Sequence, residues 1–359
     1  MISGRPSPPG GVERVVEELA NRIAAKGVDF TIFGKGKVNF VKKTGRIKII
    51  GMSTFKSPYP KLTYSFEVWR RIRKTNEFDI IHGHADNCFF PSVLRGETPF
   101  IVTFHGTLRK SFEQIKIPLR VLVRAVSGIW AERAAAQACD FAVACSAAVK
   151  NELVTLYKVK PNKIMVIYNG VNVDKFFPQD KKEARKRLGL PLKGKYALWV
   201  GAGTARKGFS TATRATQNIP GLRLLVVGIN PRNDGSAVYL GRVSESDLVR
   251  AYSAADFLLF PTVYEGFPLV PLEAMACGLP VIVSEESNYG EIITDGLHGY
   301  VVRDGKVSSY KDRIELLLDE RNSQERSLHC RKLATEYRWE KQAEQYWKVY
   351  LRLMTGQSP

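Results

Sequence analysis

The 359-residue sequence has few cysteines and no long apolar run. Its five cysteines form no C-x-x-C pair, so neither a disulfide framework nor a zinc site is expected, and reduced thiols indicate a cytoplasmic setting. No uncharged apolar stretch reaches the roughly eighteen residues that a spanning helix needs, so none is predicted. The opening residues, MISGRPSPPGG, lack the apolar segment of a secretion signal, and no cleaved signal is predicted.

Acidic residues are also scarce, with 35 acids against 54 lysines and arginines and a formal net charge of +19. The excess is concentrated in residues 1–172, which carry +14, whereas residues 173–359 carry +5. Such a surplus favours an anionic partner, either a phosphorylated substrate or an anionic membrane surface. Because no nucleic-acid-binding motif and no periodic basic–aromatic strand pattern occur, a nucleic-acid partner is not expected.

Short β-branched and aromatic runs alternate with helical segments, which predicts an α/β architecture with parallel sheets. The length favours two domains, and a polar stretch with two prolines between residues 171 and 195 marks their boundary. The pattern divides the chain into a first domain (1–172), a second domain (173–335) and a C-terminal helix with its tail (336–359). The predicted strands are 28–33, 47–50, 80–83, 100–104, 141–145, 163–167, 196–200, 222–227, 257–261, 281–284 and 299–302.

The start of the first domain is irregular. A helix is predicted over residues 12–25, where Val15, Leu19 and Ile23 share an apolar face behind a Gly10–Gly11 turn. A Rossmann-type half normally begins with a buried strand before that turn, yet nine residues including three prolines precede Gly10. The first strand is therefore predicted to be missing or shortened. At the other end, residues 324–354 are predicted to be helical, with an aromatic stripe that packs on a domain.

The densest candidate site is PTVYEGFPLVPLEAMACGLPVIVS, residues 261–284. A strand ends there, a loop carries Glu265 and Gly266, and a helix opens near Pro268 with Glu273 inside it. The unpaired N–H groups and positive dipole end of a helix N-terminus suit a diphosphate. Glu273 is then placed to accept from ribose hydroxyls, and Glu265 to face the group attached to the diphosphate. Two isolated acids near a helix start would only complement its dipole.

The spacing of Glu265 and Glu273 resembles the E-x7-E signature of the family 4 retaining glycosyltransferases, which have the GT-B fold. The resemblance implies two Rossmann-like, doubly wound domains that face each other across a cleft, with a C-terminal helix crossing back to the first domain. The first domain would hold the acceptor and the second the nucleotide sugar. Further segments match in the same order: PPGGVERVVEELA, VTFHG, IYNGVNVDKF, VGAGTARKG, GRVSESDLVRAYSAADF and GEIITDGLHGYVV.

The resemblance implies catalytic roles for three residues. His105 would contact the transferred sugar, Glu265 would orient it, and Lys207 would neutralise the donor diphosphate as a compact cation. The donor-binding residues implied in the same way are Gly10, Gly11, Asn169, Arg206, Lys207, Val243, Glu265, Gly266, Phe267, Pro268, Leu269 and Glu273.

One position departs from the family pattern. The family usually pairs its lysine with an arginine five positions earlier, where this sequence has Ala202. We predict that Arg206 replaces that arginine. Ala202 and the short N-terminus also leave a second interpretation open, a catalytically impaired homologue that binds sugar nucleotides without transferring the sugar.

The implied reaction is transfer of a hexosyl unit from a UDP- or GDP-sugar to an acceptor hydroxyl, with retention of anomeric configuration. His82 and His84 have a spacing that could hold a metal, but no third ligand of matching spacing is evident. D-x-D, a pattern that would supply metal ligands, is also absent. Chemistry without a metal or cofactor is therefore expected.

The acceptor side of the sequence is basic and aromatic. Residues 61–74 and 107–126 mix lysine and arginine with tryptophan, phenylalanine and leucine at roughly helical spacing, as interfacial helices do. One hypothesis is that this domain docks on an anionic membrane or binds a lipid-linked or cell-surface glycan acceptor. A solvated charged face explains the same pattern equally well. The first hypothesis places the protein in the cytoplasm, peripheral on the inner face of the membrane.

Overall fold

The structure is a computed structural model, and it describes residues 1, 10–36, 39–53, 60–75, 77–84, 88–94, 96–114, 119–230, 235, 237–319 and 323–356. The chain forms two compact units. The first comprises Met1–Asn169 with Trp339–Pro359, and the second comprises Gly170–Arg338. The sequence pattern placed the corresponding boundaries after residues 172 and 335.

The described strands of the first unit form two hydrogen-bonded groups. A three-stranded sheet has the order β1-β3-β2, in which β2 is antiparallel, and a four-stranded parallel sheet has the order β4-β5-β6-β7. Strands β5 and β6 are buried along their whole length, as expected for parallel strands covered on both faces. Its elements are α1 (Gly11–Ala24), β1 (Phe30–Gly36), β2 (Phe40–Thr44), β3 (Ile47–Ser53), α2 (Pro60–Thr75), β4 (Ile81–His84), α3 (Phe89–Val93), β5 (Phe100–Phe104), α4 (Leu108–Glu113), α5 (Leu119–Ala138), β6 (Phe141–Ala144), α6 (Ala147–Tyr157), β7 (Ile164–Val166) and, from the chain's end, α13 (Trp339–Met354).

The second unit has one six-stranded parallel sheet with the order β10-β9-β8-β11-β12-β13. In this order the chain moves outward from β8 in one direction, then returns and moves outward from β11 in the other, which is the doubly wound Rossmann arrangement. The elements are α7 (Lys181–Arg187), β8 (Lys195–Val200), α8 (Phe209–Thr216), β9 (Leu222–Val227), β10 (Val238–Gly241), α9 (Glu245–Ala254), β11 (Phe257–Phe260), α10 (Leu269–Ala276), β12 (Val281–Ser284), β13 (Gly299–Val302), α11 (Val307–Leu318) and α12 (Ser323–Glu336).

A cavity of about 840 Å³ lies beside β1 in the first unit. Its lining includes side chains of β1, of β4 and of α13, among them Phe33, His82 and Tyr350. Met1 lies at its edge, where its amino group donates to the Thr31 carbonyl (2.8 Å) and its carbonyl accepts from Phe33 N–H (2.8 Å). These two bonds have the pattern of a parallel ladder. The predicted shortened first strand otherwise falls on residues 2–9, outside the described residues.

Helix α13 packs its aromatic stripe into the first unit, as the resemblance implied. The hydroxyls of Tyr346 and Tyr350 lie 3.2 Å from Thr103 Oγ1 and 2.6 Å from His82 Nδ1, so both rings reach the four-stranded sheet. Residues 324–354 are helical as predicted, in two helices, with a break in the chain between α12 and α13. There the Tyr337 carbonyl accepts from Val171 N–H (2.9 Å) instead of continuing the helical ladder.

All eleven predicted strands are present, with bounds within three residues of the expected ones. Two strands were missed, β2 and β10. Both lie at the edge of a sheet. Strand β2 is exposed along its length and has no apolar run, whereas β10 has the short apolar run Val238–Leu240 but is only half-buried there.

A buried carboxyl group joins three elements of the first unit. Glu132, on α5, is 2% exposed and accepts hydrogen bonds from Leu108 N–H (2.7 Å) and from the Tyr157 hydroxyl. Burial raises the pKa of Glu132 to about 7, against the opposing effect of these two donors. Burial lowers the pKa values of the buried histidines of this unit, which act on stability in the opposite direction.

We predict that Glu132→Gln steepens the rise of unfolding free energy between pH 5 and 7. The folded state keeps the proton on Glu132 until the pH approaches 7, whereas the unfolded state releases it above about pH 4.5, so Glu132 lowers stability as pH rises through this range. Its removal should increase the slope by up to about 1.4 kcal/mol per pH unit, measured by denaturant titration at several pH values. Identical slopes for the variant and the parent would contradict the raised pKa.

Candidate functional site

The candidate site of the second unit lies where β8 and β11 end. These two strands are neighbours at the point where the strand order reverses, and the loops that follow them leave from the same edge of the sheet. Ligands of doubly wound folds bind at such a switch point. The loop after β8 carries Arg206 and Lys207, and the loop after β11 carries Glu265 and Gly266.

The Glu265 carboxylate gathers both cations of the neighbouring loop. Its Oε1 lies 2.7 Å from Lys207 Nζ and 3.5 Å from the Arg206 guanidinium. The Glu265 and Lys207 side chains are 13% and 20% exposed, whereas Arg206 is more open to solvent at 41%. Two cations against one carboxylate leave a net positive charge at the switch point, which suits an anionic ligand.

The two loops are also fixed to each other through the backbone. The Arg206 carbonyl accepts from both the Thr262 hydroxyl (2.9 Å) and Val263 N–H (2.8 Å). Lys207 is held by its own carbonyl, which accepts from the Trp199 indole N–H (3.1 Å). The backbone positions of Arg206 and Lys207 are therefore fixed by residues at the ends of β8 and β11, independently of the conformations of the two cationic side chains.

Gly208 makes this close approach possible. It has φ +67, in the left-handed region, and a Cβ at this position would lie 1.7 Å from the Pro261 carbonyl oxygen. Any other residue would combine an unfavourable backbone conformation with an overlap that forces the two loops apart.

A second set of hydrogen bonds fixes the Glu265 loop to the segment after β12. Glu265 N–H donates to the Glu286 carbonyl (2.9 Å), and the Asn288 amide donates to the carbonyls of Glu265 and Gly266 (2.9 Å each). Sequence reasoning did not single out Asn288. Its φ of +61 is unusual for a non-glycine residue, but only the structure reveals that conformation.

Helix α10 begins immediately after this loop. Phe267 stacks on Tyr289 with ring centroids 4.4 Å apart, and the Tyr289 hydroxyl donates to the Pro268 carbonyl. No side-chain hydrogen bond caps the helix at Pro268, and Leu269 opens the helix as a buried residue. The first N–H groups of α10 are therefore not satisfied by a side-chain cap, which suits an anion at this end.

Glu273 lies deeper than expected. The prediction placed it above the helix terminus, whereas the structure has it 2% exposed on α10, with its Oε2 accepting from the Tyr252 hydroxyl (2.9 Å). Tyr252 is itself fully buried, and its hydroxyl partners this carboxylate. The pairing of Tyr252 with Glu273 could have been anticipated, because a buried tyrosine hydroxyl usually needs a hydrogen-bond partner.

The remaining predicted donor residues are distributed over both units. In the first unit, Gly10 and Gly11 are exposed at the start of α1, where Gly10 N–H donates to the Glu13 carboxylate (3.0 Å). Asn169 is buried at the end of the same unit, and Val243 is half-buried between β10 and α9 of the second unit.

His105 belongs to a row of three imidazoles in the first unit. Its Nε2 lies 3.0 Å from His84 Nδ1, and the His84 ring stacks on His82 with centroids 4.4 Å apart. Burial lowers the pKa of His105 to about 4 and holds those of His82 and His84 well below their usual range, so all three rings are neutral at pH 7. Sequence reasoning considered His82 and His84 only as a metal pair and missed their connection to His105. Within the described part of the chain, no group of three metal-ligating side chains is found.

Two family profiles match consecutive parts of the chain. Residues 9–175 match the profile described as Glycosyltransferase Family 4, and residues 180–334 match that described as Glycosyl transferases group 1. Among curated proteins, the D-inositol 3-phosphate glycosyltransferase of Mycobacterium tuberculosis is 31% identical over 185 residues. That alignment covers 46% of this chain and 38% of the relative, so it spans well under half the relative's length.

Solved structures show the same fold. Sucrose-phosphate synthase from Thermosynechococcus elongatus superimposes with a TM-score of 0.85 at 22% identity, covering 99% of this chain and 96% of that one. The Anabaena protein Alr3699/HepE, solved with UDP-glucose, superimposes with a TM-score of 0.75 at 16% identity, covering 97% of each chain. These similarities confirm the predicted GT-B fold with its two Rossmann-like units. In the described residues, no helix is both long and apolar enough to span a membrane.

We predict that Gly208→Ala destabilises the protein far more than Gly221→Ala. Both glycines have φ near +70, but a Cβ on Gly221 would meet nothing within 4 Å. The control should lose only the conformational cost of about 1–2 kcal/mol, whereas Gly208→Ala adds the overlap with Pro261. Thermal unfolding of both variants tests this, and equal losses would show that the two loops have room to separate.

Proposed function

Because this chain belongs to glycosyltransferase family 4, we propose that it transfers a hexosyl unit from a UDP- or GDP-sugar to an acceptor hydroxyl with retention of configuration. The observation that carries the proposal is the placement of Lys207 and Arg206 at the switch point, next to the start of α10. Together they form a positively charged site of the kind that binds a diphosphate. The curated relative is by name a glycosyltransferase acting on an inositol phosphate, and Alr3699/HepE was solved with UDP-glucose.

In the mechanism we propose, Lys207 has two alternative partners. Without donor it is paired with the Glu265 carboxylate at 2.7 Å. When a nucleotide sugar binds, the ammonium group neutralises the diphosphate, and Glu265 accepts from a hydroxyl of the sugar instead. Negative charge grows on the diphosphate as the bond to the anomeric carbon breaks, so Lys207 and the α10 terminus stabilise the transition state more than the ground state.

Retention follows if the acceptor hydroxyl enters on the face from which the diphosphate leaves. The anomeric carbon then passes through an oxocarbenium-like state, and a diphosphate oxygen takes the proton of the acceptor hydroxyl. No covalent carboxylate intermediate is required. The cations and the helix terminus neutralise the leaving group, so we propose that the reaction proceeds without a metal ion or organic cofactor.

Arg206 supplies the second cation in place of the arginine that Ala202 replaces. Its guanidinium lies 3.5 Å from Glu265, within reach of the same group that partners Lys207. At 41% exposure it is also free enough of the protein interior to rotate toward a ligand. A catalytically impaired homologue is the second candidate, and Ala202 is the observation that favours it.

Two variants and one control separate these candidates. We expect Lys207→Ala and Arg206→Ala each to lower kcat by about a hundredfold, because each removes a charged contact to the developing anion. Arg223 is exposed at the amino end of β9, at the opposite edge of the parallel sheet from the carboxyl ends of β8 and β11, and gives the matched control Arg223→Ala, which should leave kcat unchanged. Turnover is measured as nucleotide released from UDP- and GDP-hexoses with an acceptor mixture. Binding of donor without any turnover by the parent protein would favour the impaired homologue, and normal turnover by Arg206→Ala would remove this residue from the site.

We also propose that the acceptor is a lipid-linked or cell-surface glycan and that the first unit binds an anionic membrane from the cytoplasmic side. Five aromatic side chains form a continuous row on α2, α3 and α5, with successive ring centroids 5.0–5.4 Å apart. This aromatic row consists of Trp69, Phe66, Phe90, Phe89 and Trp130. The solvent-exposed fractions are 40% for Phe66 and 59% for Trp130, and the exposed Arg70 and Arg133 flank the row in sequence. Exposed aromatics beside cations are typical of membrane-interface surfaces.

The membrane proposal predicts that sedimentation with vesicles requires anionic lipid. Trp130→Ser combined with Arg133→Glu should reduce the bound fraction severalfold, because it removes an interfacial anchor and reverses a charge. Leu328→Ser, at a 72% exposed position on the second unit, is the matched control and should bind like the parent. The membrane proposal would be wrong if the protein bound zwitterionic vesicles as well as anionic ones, or if the double variant bound as the parent does. The basic surface would then be an ordinary solvent-exposed face.

A further inference from the structure

The hydrogen bonds around His84 determine which nitrogen of His105 carries the proton. A neutral imidazole has one N–H and one bare nitrogen, and the partner of one nitrogen fixes the state of the other. His84 Nδ1 lies 3.0 Å from His105 Nε2, so one of these two nitrogens donates and the other accepts. Distances alone leave the direction of that hydrogen bond open.

The second nitrogen of His84 decides the direction. His84 is 1% exposed, and its Nε2 is buried without a hydrogen-bond partner among the described residues. An orphaned N–H is rarer and more costly in a protein interior than an acceptor with an unused lone pair. The bare nitrogen is therefore Nε2, which places the proton of His84 on Nδ1, from where it is donated to His105 Nε2.

The direction of this bond fixes the tautomer of His105. Since His105 Nε2 accepts, the proton of this ring is on Nδ1, which makes no hydrogen bond to a described residue. In water, neutral histidine favours the opposite tautomer, with the proton on Nε2. The interaction with His84 thus reverses the intrinsic preference and leaves a neutral N–H donor available to a ligand.

The position of His84 is itself fixed from behind. Its ring stacks on His82, both of whose nitrogens are in use, with Nδ1 2.6 Å from the Tyr350 hydroxyl and Nε2 2.8 Å from Thr103 Oγ1. On the other side, the rings of His84 and His105 are nearly parallel, with an interplanar angle of 13°. The row of imidazoles is therefore held by β5 and α13 before any substrate arrives.

We propose that His84 is a positioning residue that holds His105 in the Nδ1–H tautomer, so that His105 meets its substrate as a neutral hydrogen-bond donor and not as a base. The identification of that substrate as the hexosyl group of the donor rests on the proposed function. The receiving atom is then a hydroxyl oxygen of the sugar, and the contribution is to binding and orientation rather than to proton removal.

Nitrogen-15 NMR of the ligand-free protein at pH 7 tests the tautomer directly. The spectrum should assign the His105 proton to Nδ1, with the His105 signals identified by their loss in His105→Gln. His298 provides an internal reference for the opposite form, because its Nδ1 accepts from Thr294 N–H (3.1 Å) and its proton must lie on Nε2. A His105 proton on Nε2 in the parent protein overturns the proposal without the need for any variant.

Two substitutions test the role of His84. His84→Leu removes the donor, so the Nε2–H form of His105 should appear, and affinity for UDP-glucose or GDP-glucose should fall about tenfold, the effect of one neutral hydrogen bond. Affinity for UDP or GDP alone should not change, because the lost contact is to the sugar. His84→Asn places an amide N–H near the former Nδ1 and should restore both the tautomer and the affinity. An unchanged His105 tautomer in His84→Leu overturns the proposal.

The failure of this inference can be told apart from failure of the proposed function. If the parent protein binds neither sugar nucleotide, the transferase proposal fails, while the tautomer of His105 in the ligand-free protein still decides the role of His84. If the parent binds both and His105 carries its proton on Nε2, the transferase proposal stands and the positioning role falls.

Discussion

The backbone contact between the loops after β8 and β11 is the constraint on which the candidate donor site depends. One carbonyl, that of Arg206, accepts from both Thr262 and Val263, and it does so because Gly208 lets the two loops approach to within contact distance. Without this contact the ammonium group of Lys207 and the carboxylate of Glu265 would each be a flexible surface charge. With it, two side chains from separate loops are presented at one edge of the sheet at 2.7 Å. The close approach of the Lys207 and Glu265 side chains therefore depends mainly on the adjacency of β8 and β11 and on Gly208.

The strand pattern and the E-x7-E spacing were readable from the sequence because both depend on local order along the chain. Buried parallel strands are continuous apolar runs, and residues 100–104, 222–227, 281–284 and 299–302 were located with the bounds that the structure has. The same reasoning missed β2 and β10, which lie at sheet edges and have no second covered face.

The polar contacts within the site were not predictable in the same way. Glu273 was expected above the helix terminus, open to ribose hydroxyls, yet it is buried and accepts from the hydroxyl of Tyr252. His84 and His105 are 21 residues apart and meet only because β4 and β5 are adjacent parallel strands. Such pairings depend on side-chain direction and strand register, which a single sequence does not encode in any local pattern. Composition located the charge of the first unit, but the aromatic row became visible only when α2, α3 and α5 were placed side by side.

Helix α13 contacts both the four-stranded sheet and the start of the first unit. Helix α13 reaches the four-stranded sheet through Tyr346 and Tyr350. It is also salt-bridged to α1 through Arg22–Glu340 and to the turn after α1 through Lys26–Glu344. Helix α13 thus braces the start of the first unit against its four-stranded group of strands, and a shift of this helix would be transmitted through Tyr350 and His82 to His84 and His105.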